Sequence, residues 1–69
     1  MSYRVVTPAG ESVAYPTLKE ARASAIAHAE QMVRVEGIKA DGLSVWVHDE
    51  NDVIVGSATL RMGVEWNDV

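Results

Sequence analysis

Two histidines, His28 and His48, and a serine four residues before the first of them, Ser24, come nearest to catalytic chemistry in this chain. Ser24 and His28 have the spacing that brings two side chains together on one helix face. A serine nucleophile needs more than a base beside it: an acid to orient the imidazole and donors aimed at the developing oxyanion. Neither accompanies the pair, and no serine stands in a Gly-x-Ser-x-Gly setting. Two histidines are half of a four-ligand zinc site, and the chain has no cysteine to complete one. Asp49-Glu50-Asn51-Asp52 crowds three carboxylates into four positions. A calcium loop instead spaces its oxygen ligands over a longer segment with a Gly turn and a distal Glu. The glycines, Gly10, Gly37, Gly42, Gly56 and Gly63, are isolated from one another, so no run cradles a phosphate. The expectation is therefore no catalytic residues, no metal and no cofactor.

Charge narrows the partner class. Ten acidic residues against six basic ones leave a net charge of −4, and no two basic residues are adjacent. Nucleic-acid affinity is built on Lys and Arg displacing counterions from phosphates, so this balance disfavours DNA and RNA and suits a protein partner. The opening Met1-Ser2-Tyr3-Arg4 lacks an apolar signal core, and no apolar stretch is long enough to span a bilayer. A cytoplasmic protein with no membrane contact is expected.

The elements that position these residues follow from periodicity. Tyr3 to Thr7 is mostly β-branched or aromatic, Pro8-Ala9-Gly10-Glu11 is a turn, and Ser12 to Tyr15 returns, giving a hairpin. Thr17 with Glu20 three residues on has the form of a capping box. Leu18 to Val35 then contains no Gly or Pro. Leu18, Ala21, Ala25, Ala29 and Met32 fall at helical spacing, widened by Ile26 and Val33. Gly37 stands where a left-handed stop is expected, with Ile38 packing back on Val33. Leu43, Val45 and Val47 alternate with Ser44, Trp46 and His48, a strand of two faces. After the Asp49–Asp52 turn, Val53 to Met62 forms its partner. In that strand Ile54, Ala58, Leu60 and Met62 share one face, Val53, Val55, Ser57, Thr59 and Arg61 the other, and Gly56 is a gap or bulge site.

The fold class is thus α+β: a ββαββ domain over residues 1–62, one antiparallel sheet of two hairpins with a single helix on one face. Residues 63–69 are expected to be a mobile C-terminal tail, which Val64 and Trp66 could dock. With 69 residues and no disulfide, the core is small, and homo-oligomerisation is a plausible source of extra burial.

A single helix leaves one sheet face uncovered. On this register that face carries Trp46 beside Val53 or Val55, flanked by Ser44, His48 and Thr59. Together with Asp49, Glu50 and Asp52 of the acidic turn and Trp66 of the tail, these are the candidate interaction residues.

The order Tyr3-x-Val5-Val6, Thr17-x-x-Glu20-Ala21 and Val45-x-Val47-His48-Asp49 followed by Val53-Ile54 resembles short ββαββ domains of uncharacterised bacterial and bacteriophage proteins. Those domains often keep a Gly in the second hairpin turn, where this chain has Asn51-Asp52. The resemblance implies the fold and brings no site residues. The function expected is a non-enzymatic interaction module, carried by a phage or mobile element, that binds and modulates a host protein. The alternatives are a nucleic-acid module that stacks bases on the sheet face and a structural or assembly component of a phage particle.

Overall fold

The structure, a computed structural model, describes residues 2–10, 12–61 and 63–69, with the backbone alone for Ile38. The roles expected of the Glu11 and Met62 side chains, and the packing of Ile38 on Val33, lie outside the described residues. Strand β1 spans Tyr3–Val6 and β2 Ser12–Tyr15. Between them Pro8 occupies the second position of a turn closed by the Gly10 N–H donating to the Thr7 carbonyl at 2.9 Å, with Gly10 at φ 88°.

Helix α1 runs Leu18–Glu36. Its start is fixed as the sequence implies: Thr17 is extended, and its Oγ1 accepts from the Glu20 N–H at 3.2 Å, satisfying one orphan donor of the first turn. Its end comes at Gly37, whose φ of 61° opposes further helix and whose N–H returns to the Val33 carbonyl. A single 3-10 turn, Gly37–Ala40, then leads to β3 at Ser44–His48.

Strand β4 spans Ile54–Leu60, and β5 spans Val64–Asp68. The expected tail is therefore largely a strand, antiparallel to β4 in the register Leu60↔Val64, Ala58↔Trp66 and Gly56↔Asp68. The residues that made it look like a tail are polar ones on a half-solvated edge. The alternation Val64-x-Trp66 beyond Gly63, itself at φ 142°, is the signal that identifies it as a return strand.

The five strands form one antiparallel sheet in the order β2-β1-β3-β4-β5. The two hairpins meet along β1 and β3, with Val5↔Val47 and Val6↔Trp46 paired. The α+β class holds, with the extra strand extending the second hairpin into a meander.

α1 covers one side, lying chiefly over β1, β3 and β4. Ala21, Ala25 and Ala29 are fully buried, along with Val5, Val45, Val47, Ala58 and Leu60 from the sheet and Ala40 from the 3-10 turn. The methyl-sized stripe lets the helix approach closely but buries little area of its own. The large fully buried side chains are Leu60, Val5, Val45 and Val47, each contributing about 1.5–3 kcal/mol. Leu18, Ile26, Met32, Val33 and Trp66 pack around that centre.

Candidate open-face interaction site

Pairing register decides which side chains share a face, because directly opposed residues point the same way. Trp46 pairs with Val6 on one side and Ser57 on the other, while Ser57 pairs in turn with Asn67. His48 pairs with Arg4 and Ile54, and Ser44 with Thr59. All lie opposite the buried face of Val5, Val45, Val47 and Ala58, so α1 is behind them, and among the described residues no second layer stands in front. Trp46, in the central strand, is 40 % exposed. Ser57 beside it is only 6 % exposed although it lies on the uncovered face, between Trp46 and Asn67 in the sheet. At the Gly42 end of the face the Ser44 and Thr59 hydroxyls meet at 3.3 Å.

The candidate residues separate. Trp46, His48 and Thr59 are on the open face as expected. Val55 is not: a register shift between Val47 and His48 leaves it as the extra residue between Gly56, opposite Val47, and Ile54, opposite His48. It packs against the buried cluster, and Ile54 takes the open-face place beside His48, 38 % exposed. Val53 precedes the strand. An alternation count within one strand misses this, because the extra residue is defined only against the partner strand.

Trp66 also lies on the helix side. Its ring lies over Gly56, with the Arg22 guanidinium 5.6 Å from the ring centroid. Its Nε1–H donates to the Asp68 carboxylate at 2.8 Å. Trp66 thus closes the β5 end of the core and is not part of the open face. Val6, Arg4, Ile54 and Asn67 belong to that face and escaped the sequence reading; the Arg4/Val6 against Tyr3/Val5 alternation held the signal for two of them.

The acidic turn is used largely within the fold. One Asp49 carboxylate oxygen accepts from the Asn51 N–H at 2.8 Å and the Val53 N–H at 3.0 Å, holding the turn in place. Asp52, at φ 61°, reaches Arg4 across the sheet end at 3.6 Å. Of the three carboxylates, Glu50 is exposed at the tip with no such role.

On the helix, the Tyr15 and Ser24 hydroxyls are 2.7 Å apart, and His28 Nδ1 lies 2.9 Å from the Ser24 carbonyl and 3.4 Å from its hydroxyl. A carbonyl oxygen only accepts, so at that distance Nδ1 carries the hydrogen and donates it. The same nitrogen then has no lone pair for the Ser24 proton, which makes the cluster a tie between β2 and α1. Among the described residues no three His, Asp or Glu side chains converge in a way that could hold a metal ion, and no helix is long and apolar enough to cross a membrane.

No protein-family model, curated protein or solved structure significantly matches the chain.

Proposed function

We infer that this is a non-enzymatic interaction protein that engages a protein partner through the open sheet face centred on Trp46. The observation that carries this reading is a tryptophan 40 % exposed in the middle of a sheet side without a covering layer, with Val6 and Ile54 nearby. Large aromatic side chains at the centre of a patch are the residues on which interface energy concentrates. Arg4 and His48 edge one end and Glu65 the other, so polar groups surround Trp46, as they do at the rim of a non-obligate interface. The partner in this reading is a host protein, modulated by a module that a phage or mobile element carries.

Affinity capture with two baits tests it. A host protein held by the wild type should be lost with Trp46→Ala and kept with Ala27→Gln, a change on the exposed side of α1. Equal retention by Trp46→Ala, with its fold verified by circular dichroism, overturns the reading.

The nucleic-acid alternative has one observation in its favour: Arg4 and His48 adjoin Trp46, an arrangement on which a base could stack. The net charge of −4 and the Arg4–Asp52 pair oppose it. Binding of a single-stranded oligonucleotide at low salt that weakens as salt rises would favour this alternative over the protein-partner reading.

A further inference from the structure

The two edges of the sheet are chemically unequal. An edge strand presents unpaired backbone N–H and C=O groups, and proteins protect such edges with charge, Pro or bulges. β5 is protected: Glu65 and Asp68 stand along it, so a second β5 laid alongside would gather four carboxylates on one seam. β2, the opposite edge, reads Ser12-Val13-Ala14-Tyr15, with no charge, no Pro and an unbroken register to β1. Val13 is 48 % exposed even though it shares a face with Val5, because α1 lies chiefly over β1, β3 and β4 and stops short of the β2 margin. Tyr15, by contrast, is held down by its bond to Ser24.

We propose that β2 is a self-association edge, pairing antiparallel with β2 of a second copy of this chain. The occupant is set by charge and symmetry. A neutral strand meets its own copy without charge repulsion along the seam, whereas the acidic edge does not. A two-fold axis normal to the sheet keeps like faces together and requires a residue to face its own copy, and β2 overlaps most when centred on Val13 or on Ala14. Centring on Val13 sets the two Val13 side chains against each other and Ser12 against Ala14. The result is one continuous sheet with both helices on one side and both Trp46 faces on the other. The dimer therefore leaves the Trp46 face unobstructed, and it stands or falls separately from the reading of that face.

Sedimentation equilibrium of the full chain tests it, from about 10 μM to about 1 mM, the range suited to a junction at the small end of the interface scale. The mass should rise from the 7.5 kDa monomer toward twice that value, and the backbone amides of β2 should exchange more slowly with deuterium as concentration increases. Val13→Lys should remain monomeric throughout, while Ala27→Lys on the exposed side of α1 should associate as the wild type does. Both variants are on exposed positions, and the wild-type exchange result stands even if one fails to fold. A constant monomer mass up to 1 mM overturns the proposal, as does a dimer in which the β2 amides gain no protection.

Discussion

The indole of Trp66 occupies the space that a side chain at Gly56 would need. A Cβ built on Gly56 would lie 2.7 Å from Trp66 Cη2 and clash with Cζ2 as well, and the Asn67 carbonyl is 3.3 Å away. Gly56 is thus the floor on which the Trp66 ring rests, and the pair adds a side-chain anchor to the pairing of β5 with β4. Gly56→Ala is expected to cost about 1–3 kcal/mol through displacement of the ring. In a Trp66→Ala background the same change should cost only a few tenths of that, a coupling that urea denaturation of the four variants measures. Equal costs in both backgrounds would remove the link between them.

The helix-to-sheet distance is set by methyl groups. Ala25 is fully buried at the centre of α1, so Ala25→Leu should force the layers apart and destabilise the fold by about 1–3 kcal/mol. Leu60→Ala removes one of the largest fully buried side chains and should cost about 2–5 kcal/mol. A core of this size supplies only about 3–5 kcal/mol in all, so thermal melts of Leu60→Ala should show little or no cooperative transition.

Asp52 carries a left-handed backbone and an exposed ion pair, and the two contribute unequally. Its partner Arg4 is about half exposed and Asp52 more so, at 3.6 Å, which places the pair in the class worth less than about 1 kcal/mol. The φ of 61° is the larger constraint, costing a β-branched residue about 1–2 kcal/mol more than Asp or Asn. Asp52→Asn and Arg4→Ala should therefore be nearly neutral in denaturation, and Asp52→Val clearly destabilising. A large loss in Arg4→Ala would reverse that order.

At the other end of the fold, Thr17→Ala should cost about 1 kcal/mol by leaving the Glu20 N–H without its acceptor. Thr17→Ser should restore most of it, and helix content followed by circular dichroism during melting distinguishes the two.

What was legible in the sequence is what local physics controls. The Thr17 start, the Gly37 stop and the Ala21-Ala25-Ala29 stripe are encoded within one helix, and the Leu43–His48 alternation placed Trp46 correctly away from it. The parts that escaped depend on contacts between distant strands. Val55 changes role because of a bulge visible only from the β3 side. β5 looked like a tail because Glu65, Asn67 and Asp68 outnumber its two apolar anchors, and one of those, Trp66, depends on the absence of a side chain ten residues earlier. The pairing of β1 with β3, which brings Arg4 and Val6 beside Trp46 and His48, has no local signature.

The central claim is that the sheet side bearing Trp46 faces solvent. Acrylamide quenching of Trp66→Phe, in which Trp46 is the sole tryptophan, tests it most directly. A red-shifted emission with quenching well above that of a buried indole is the expected result for a side chain 40 % exposed. A blue-shifted emission resistant to acrylamide in the folded protein would mean that another layer covers Trp46, and the proposed contact surface would be lost with it.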